Sequence, residues 1–505
     1  KYRGVVDLAD HKIQIETLPA DENTPLPVVL QVRVNEFLTK PSWSVLAQLH
    51  QAPARNLLPL ATRMGLGLPS GLTATGVVDG AVGYSNRSGW NGGLALSQVT
   101  ASLAGSPTLT APLTTLNVVS DHVHIFPTQI EIEPGASVQV TGDYVPSSRA
   151  LSVSLLLENS PVTALSGTIG SWFGTPPFFP AIQDGVVSGQ IRYDHAQPDQ
   201  PEWAGDFQLA RASLQVPGVA APVKNLSARV VLRNRQLNVP RFSASIGDQP
   251  ISGEYHYNQP AAHKERIQVQ TGALDLADLE QALAPALGSQ DFLSRFRFGR
   301  RSVPSWLASR SVEGDASVQR LSLDGVALGA LKTHFVWSGA NIQISSFQLA
   351  LPEGRARGKG SVSLTNARPR YNLSGEVVNF PWKGGLLDIS GELTTAGSGP
   401  DTLLNLRALG DFTGKDIVAS QEASFSSLSG NYVLSFDSGW PRLQLAKVHA
   451  EQPEEAWEGT GSTGKDGSLT LELIDGARQM HVVSTLDPLP PSAAPVANSA
   501  NSSAP

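Results

Sequence analysis

The chain has 505 residues, of which 41% are hydrophobic and 16% are charged, and its formal net charge is −7. This composition excludes a disordered chain, which would be rich in charge and poor in apolar side chains, and gives no electrostatic basis for nucleic-acid binding. The chain has no cysteine, which excludes disulfides, iron–sulfur clusters, thiol nucleophiles and cysteine-ligated zinc.

The length predicts three or four units, at about 100–200 residues per domain, or one long repetitive body. Residues 1–8 have the pattern of a strand interior. We therefore interpret the sequence as a fragment or a processed product, with any membrane anchor upstream of residue 1. No run of about 18 apolar residues occurs, so the sequence predicts no membrane-spanning helix.

Most of the chain consists of short segments in which apolar and polar residues alternate, separated by Gly, Asn, Asp, Ser and Pro. Residues 151–155, 267–270 and 469–473 are examples. Alternation of this kind, bounded by turn residues, predicts strands with one apolar face.

Short helices are predicted at residues 54–64, 161–173 and 275–287, the last from a stripe of leucines at helical spacing. A second helix is predicted beside the last of these, at 289–298. The final blocks of the chain are predicted to lack a helix, and residues 376–391 to run directly from one strand into the next.

A first repeat is seen in residues 76–84, GVVDGAVGY, which return 109 residues later as GVVSGQIRY in residues 185–193. Each copy continues to a tryptophan, Trp90 or Trp203, and then into a further strand. The matching tryptophans indicate a structural role.

A second repeated element has two alternating apolar runs, a two-residue step between them and a closing glycine. Its four glycines lie 111, 105 and 101 residues apart and are Gly142, Gly253, Gly358 and Gly459. The step predicts a bulge or bend that keeps both runs on one face. The glycine predicts a strained turn or a close backbone approach.

These repeats predict a mainly β fold: an extended, twisted, mostly antiparallel sheet of about four repeats that forms a curved groove, with a few short helices. The predicted boundaries are a partial first repeat with a short helix at 1–75, repeats at 76–184, 185–311 (with the helical insertion) and 312–391, a terminal repeat at 392–487 and a disordered tail at 488–505.

Residues 459–466 fit the spacing G-x-x-x-x-G-K of a phosphate-binding loop. Asp466 follows the lysine where that motif needs Ser or Thr, and an alternating strand follows where it needs a helix. Residues 462–465 match S-x-x-K of serine acylases without the partner motifs. We interpret the segment as a glycine-rich hairpin.

His122 and His124 share one strand face, as two zinc ligands do, but a zinc site needs a third ligand. Glu131 and Glu133 share a face, as the paired carboxylates of glycosidases do, while apolar neighbours occupy the opposite face. We interpret both pairs as strand surface. The sequence therefore predicts no enzyme activity, no metal site and no cofactor.

A basic cluster with neighbouring phenylalanines leaves two interpretations open. It is either a helix end that contacts an anionic membrane surface or a solvated helix end whose phenylalanines dock on the sheet. Its basic residues are Arg295, Arg297, Arg300 and Arg301.

The apolar strand faces also leave two interpretations open. They form either an ordinary closed core or a long open groove. An open apolar face needs a cover, and lipid tails provide one at about 0.8 kcal/mol per buried methylene group.

Residues 237–246, with 251–253 and the strand-to-helix step at 274–279, resemble the repeating core of AsmA-like proteins, a family with TamB and YhdP relatives. The resemblance covers most of residues 70–485 through a degenerate pattern. It implies an inner-membrane anchor, a periplasmic body with an apolar inner groove, and movement of phospholipid towards the outer membrane or another role in envelope assembly. This chain departs from the family by lacking the N-terminal membrane helix and by ending in a low-complexity tail.

We accordingly expect a non-enzymatic protein that binds and transfers lipid in a bacterial envelope, with phospholipid and membrane as partners. The alternative is an interaction scaffold or adhesin-like protein with a closed core. The candidate groove residues are Ile125, Leu237, Val239, Phe242, Ile342, Ile344, Phe347, Leu349, Leu443, Leu445 and Val448.

Overall fold

The computed structural model describes residues 1–19, 26–63, 71–133, 136–173, 181–195, 202–217, 219–233, 236–258, 261, 263–282, 305–323, 325–365, 368–397, 400–420, 423–437, 440–464 and 466–485. The predicted helix at 289–298, the basic cluster at 295–301 and the predicted tail at 488–505 lie outside these residues. The predicted fold class is confirmed: the chain is mainly β, with mostly antiparallel strands in open, curved sheet and a few short helices.

The strands are β1 (Tyr2–Asp7), β2 (Lys12–Thr17), β3 (Val28–Asn35), β4 (Ser42–Pro53), β5 (Thr73–Ser85), β6 (Gly89–Ser102), β7 (Leu109–Ser120), β8 (His122–Glu133), β9 (Ala136–Val145), β10 (Ala150–Pro161), β11 (Ile182–His195), β12 (Glu202–Leu214), β13 (Val223–Arg233), β14 (Gln236–Ile246), β15 (Gln249–Asn258), β16 (Glu265–Asp275), β17 (Ser311–Leu323), β18 (Val326–Ser338), β19 (Asn341–Ala350), β20 (Arg355–Ser363), β21 (Arg370–Trp382), β22 (Gly385–Ala396), β23 (Arg407–Val418), β24 (Ser424–Asp437), β25 (Trp440–Gln452), β26 (Glu455–Thr463), β27 (Ser468–Asp475) and β28 (Arg478–Thr485). The described helices are α1 (Ala54–Arg63), α2 (Val162–Phe173), α3 (Leu276–Ala282), α4 (Ser305–Ala308) and α5 (Pro400–Leu404).

The chain forms two compact units. Unit 1 comprises residues 1–215 and 224–242, and unit 2 comprises residues 216–223 and 243–505. The predicted repeat boundaries at 76, 185, 312 and 392 each fall within a strand, and the division into repeats stays a prediction.

Successive strands pair with each other within each unit. In unit 1, β1 to β12 form antiparallel pairs with their neighbours in sequence. In unit 2, β15 to β28 do the same, except that β16 and β17 are parallel. A parallel pair needs a crossover connection, and the segment that contains α3 and α4 makes this one.

The helices predicted at 54–64 and 161–173 are confirmed as α1 and α2, and α3 confirms the described part of the third. Residues 376–391 run from β21 to β22 through a turn at Lys383 and Gly384, as predicted.

The prediction that the final blocks lack a helix was wrong, because α5 follows β22. This single turn is held by one side chain. The side-chain nitrogen Nδ2 of Asn405 donates to the backbone carbonyl oxygens of Ala396 and Asp401, each at 2.9 Å. It is too short to show an apolar period.

The first sequence repeat has a structural cause. Gln51 in β4 and Asn159 in β10 have left-handed backbones, with φ of 50° and 49°. The backbone N–H of Gln51 donates to Asp79 Oδ1 at 2.8 Å, and that of Asn159 donates to Ser188 Oγ at 2.9 Å. Asp79 and Ser188 are the fourth residues of the two copies. The repeat therefore supplies an acceptor for a bulge in the preceding strand.

The same arrangement occurs in unit 2 without the helix. Asn379 in β21 has a φ of 56°, and its N–H donates to Asp388 Oδ1 at 2.7 Å. In all three cases the strand pairing shifts register at the capped residue. A bulge capped from the next strand is thus a recurring device of this fold.

We expect Asp79→Ala to lower the midpoint of denaturant unfolding, because the N–H of Gln51 loses its acceptor, with a cost of about 0.5–1.5 kcal/mol. Asp79→Asn keeps the Oδ1 acceptor and is the matched control. Equal losses in the two variants, measured by urea titration with circular dichroism, would contradict the capping role.

Candidate functional site

The two-residue step of the second repeated element is a β-bulge, as predicted. Ile344 in β19 pairs with Gly360, and Phe347, three residues on, pairs with Gly358, only two residues back. The two residues between them are exposed. The same shift occurs between Leu445 and Val448, and between Ile125 and Thr128. The extra residue keeps both apolar runs on one face of the sheet.

These faces form continuous rows, because directly paired residues of neighbouring strands project from the same side of a sheet. In unit 1 one row crosses ten strands, β3 to β12. This unit 1 row consists of Val28, Leu49, Gly80, Leu94, Leu116, Ile125, Gly142, Val153, Tyr193 and Trp203. It contains no charged residue, and it places the candidate Ile125 among other apolar side chains.

A corresponding row in unit 2 crosses eleven strands, β15 to β25. This unit 2 row consists of Tyr255, Ile267, Gly314, Phe335, Ile344, Gly360, Leu373, Leu393, Ala408, Leu434 and Leu443. The candidates Ile344 and Leu443, 99 residues apart in sequence, therefore lie on one line of the same face. Most members are half-buried.

Beside the unit 2 row lies a line of four glycines on four adjacent strands, β20 to β23. This glycine row consists of Gly358, Gly375, Gly391 and Gly410. The Phe347 ring edge lies 2.8 Å from the position of a Cβ at Gly358, and the Tyr432 hydroxyl lies 2.8 Å from that of Gly391. The predicted close backbone approach at the glycine of this element is confirmed at Gly358, where the Ser374 carbonyl oxygen of β21 occupies the space that a side chain would need. The Phe347 ring fills the same space from the other side.

Helices cover only parts of these faces. In unit 1, α1 packs on β4 and β5, and α2 on β8, β10 and β11. In unit 2, α3 packs on β16 and β17, and α5 on β22 and β24. At one end of β18 to β20, Leu307 of α4 packs against Trp337, Ile342 and Val362. Within the described residues, no helix makes a comparable contact with β6, β7 or β21. The middle of each row therefore has no second layer in the described part of the chain.

The end of unit 2 differs, because its apolar face is packed into a closed cluster. Phe425, Val448, Leu471 and Leu473 in this cluster are at most 2% exposed. The candidate Leu445 belongs to it at 8% exposure, and Leu443 packs against it. In β23 to β28 these side chains are core residues of the structure as it stands.

The remaining candidates are divided between buried and half-buried positions. Val239 and Phe242 in β14 are each 8% exposed, with two exposed residues between them, while Leu237 is half-buried. Ile342 packs against a small cluster of Leu307, Ala340 and Leu364. Leu349 is half-buried and pairs with Leu331 and Ala356, both apolar or small.

Aromatic side chains collect at one rim of the apolar face in unit 1, the rim opposite α1 and α2. The ring centroids of Trp43 and Tyr84 are 5.2 Å apart, those of Tyr84 and Trp90 are 5.1 Å apart, and those of Tyr193 and Trp203 are 4.8 Å apart. The matching tryptophans of the repeat thus stack on matching tyrosines, which confirms their structural role.

Unit 2 has a polar group on its apolar face that the sequence analysis missed. Glu265 and Arg310 approach to 3.6 Å, with side chains only 23% and 17% exposed. The hydroxyl of Tyr255 is hydrogen-bonded to Glu265, and burial, with the nearby carboxylate, raises the pKa of Tyr255. The guanidinium carbon of Arg310 lies 5.9 Å from the centre of the Trp337 ring. Tyr255 and Glu265 lie on the two strands of one hairpin, whereas Arg310 and Trp337 are distant in sequence and are brought to them by the pairing of β16 with β17 and of β17 with β18.

The rejected sequence motifs have ordinary structural roles. His124 Nδ1 lies 2.7 Å from Asp143 Oδ1 on a solvated face, and Glu131 and Glu133 are exposed. The glycine-rich segment forms a hairpin between β26 and β27, closed by a 2.8 Å bond from the Gly464 N–H to the Ser468 oxygen. In the described chain no group of three or more His, Asp or Glu side chains is arranged to hold a metal ion.

None of the helices in the described ranges has the length and apolar character needed to cross a membrane. Comparison with family models, curated proteins and solved structures found no match to this chain.

We expect Gly410→Ala to destabilise unit 2 by about 1–3 kcal/mol, because the added methyl would collide with the Ser390 carbonyl oxygen and force the strands apart. Gly272→Ala is the matched control: no heavy atom lies within 4 Å of its added methyl. Thermal unfolding of both variants tests this, and equal shifts would contradict the close approach along the glycine row.

Proposed function

We propose that the chain is a non-enzymatic protein that binds lipid, most simply phospholipid, and transfers it between membranes. The observation that carries the proposal is the pair of apolar rows, which cross ten and eleven strands without a second layer over their middle parts. Apolar surface of this extent on a protein normally marks a binding face.

The dimensions of the rows fit acyl chains. Neighbouring strands lie about 4.8 Å apart, so each row is about 45–50 Å long. An acyl chain laid along a row gains up to about 0.8 kcal/mol for each methylene group that is fully covered. Such contacts have no direction, so a lipid can slide from strand to strand without a specific bond being broken at each step.

The opposite face of the same strands is polar. In β20, Arg355, Arg357 and Lys359 are exposed on that face, and Arg357 is ion-paired with Glu376 of β21. Water therefore solvates one side of the sheet, while the other offers apolar surface. A sheet with one polar and one apolar side supports a passive mechanism. In this mechanism acyl chains lie on the rows and head groups stay in water at the rim.

The cellular setting follows from the resemblance to AsmA-like proteins together with the repeated bulged strands. We propose a periplasmic body, anchored to the inner membrane in the full-length protein, that carries lipid towards the outer membrane or assists outer-membrane assembly. The anchor and the direction of transfer belong to this proposal.

A second candidate function is an interaction scaffold with a closed core. The packed cluster of β23 to β28, including Val448 at 1% exposure, favours it for that end of unit 2. The two functions differ in whether the half-buried middle of each row takes up lipid.

We expect several phospholipids to co-purify with each chain, and native mass spectrometry with organic extraction measures their number. A clean protein mass, with no uptake from labelled vesicles, would contradict lipid binding and favour the scaffold.

We expect Ile344→Asp and Phe347→Asp each to slow transfer of a fluorescent phospholipid between vesicles at least about tenfold, since a carboxylate on the apolar face opposes passage of acyl chains. Gln343→Asp, on the opposite face of the same strand, is the matched control and should transfer normally.

Circular dichroism of these variants distinguishes the two functions. A folded but inactive Phe347→Asp supports an open face. If Ile344→Asp and Phe347→Asp both unfold while Gln343→Asp stays folded, the two side chains belong to an ordinary core.

A further inference from the structure

The Glu265–Arg310 pair is unusual for its position. Glu265 is two residues from Ile267 on β16, so both lie on the apolar face. Every other ion-paired cation among the described residues has a side chain at least 36% exposed, against 17% for Arg310. Removing two charges from water is costly and is repaid only when further polar contacts are made.

The surroundings hold both charges in place. The second terminal nitrogen of Arg310 donates to the Pro217 carbonyl oxygen at 3.0 Å. The indole N–H of Trp337 donates to the Gly339 oxygen at 2.8 Å, which fixes the ring near the guanidinium. The Tyr255 hydroxyl is bonded to Glu265. The two charged groups are thus oriented by neighbours from several strands before any ligand arrives.

The separation of the pair leaves its closest atoms outside direct hydrogen-bond contact. The 3.6 Å between Arg310 Nη1 and Glu265 Oε2 exceeds the roughly 2.7–2.9 Å of a charge-assisted hydrogen bond. The pair also lies beside the first strands of the unit 2 row, since Glu265 is two residues from Ile267 on β16 and pairs with Val312 of β17, which pairs with Trp337 of β18. A lipid whose tail follows the unit 2 row would bring its head group to this point.

We propose that Arg310, Glu265, Trp337 and Tyr255 form a head-group site for zwitterionic phospholipid, in which Arg310 takes the phosphate and Glu265 takes the ammonium group. A zwitterion matches a pair of opposite fixed charges, whereas a purely anionic head group is repelled by Glu265. The aromatic rings favour the ammonium further through cation–π attraction. This inference rests on the proposed lipid-binding function and adds the class of lipid.

The test is a competition among three lipids. Delipidated chain is incubated with vesicles of equal parts phosphatidylethanolamine, phosphatidylglycerol and diacylglycerol, re-isolated and extracted, and the bound lipids are quantified by mass spectrometry. We expect phosphatidylethanolamine to exceed phosphatidylglycerol at least about threefold, which corresponds to about 0.7 kcal/mol.

Two variants test the proposed roles of Glu265 and Arg310 separately. Glu265→Gln keeps the shape and should abolish the preference for phosphatidylethanolamine while total bound lipid is unchanged. Arg310→Gln should lower both phospholipids relative to diacylglycerol, which has no phosphate. The matched controls are Glu313→Gln and Arg266→Gln, an ion pair at 3.1 Å on the opposite face of the same strands, and they should keep the wild-type ratio.

The outcomes are distinguishable. Bound lipid with an unchanged head-group ratio in Glu265→Gln and Arg310→Gln, even with lowered thermal stability, would show a purely structural ion pair and overturn this inference alone. Absence of bound lipid from the wild-type chain would overturn the proposed function itself.

Discussion

The constraint on which this structure depends is that most strands must keep their apolar side chains on one face over ten or more residues. In a regular strand, a step of three residues reverses the face, because side chains alternate. The fold corrects such steps with bulges, in which the partner strand advances by two residues while the bulged strand advances by three, as at Ile344 and Phe347 opposite Gly360 and Gly358. Without that correction the apolar rows would break at each repeat.

The bulges have their own requirements. At Gln51, Asn159 and Asn379 the backbone is left-handed, and its N–H is satisfied by a side chain of the following strand. Glycines allow the strands to approach closely, and aromatic rings fill the space above them, as Phe347 does at Gly358. Capping, glycine placement and aromatic stacking therefore serve one purpose, which is to hold long strands in register across a bent sheet.

The apolar face is packed differently in two parts of unit 2. In β18 to β21 its residues are half-buried, and in the described chain only one end of these strands is covered, by Leu307 of α4. In β23 to β28 the apolar residues form a tightly packed cluster. A half-buried apolar face, which is the proposed lipid-binding surface, and a closed core thus follow from one strand pattern. The difference lies in the packing of side chains from β26 to β28 beside the face at the end of unit 2.

The sequence by itself determined the strand class, the first two helices, the bulge at the two-residue step and the need for glycine at its close, because all of these depend on local alternation and on backbone sterics. It also identified Trp90 and Trp203 as structural. It missed α5, whose single turn is held by Asn405 rather than by an apolar stripe. It also gave no sign of the parallel pairing of β16 and β17.

Only the tertiary structure decided which candidates share a surface. Ile344 and Leu443 are joined through six strand pairings. Leu445 and Val448 are core residues because β26 to β28 pack beside them. Glu265, Arg310, Trp337 and Tyr255 look unremarkable in sequence, since a lone charge in an alternating strand normally faces water. Their proximity arises from cross-strand register, a sum of pairings that no local pattern encodes.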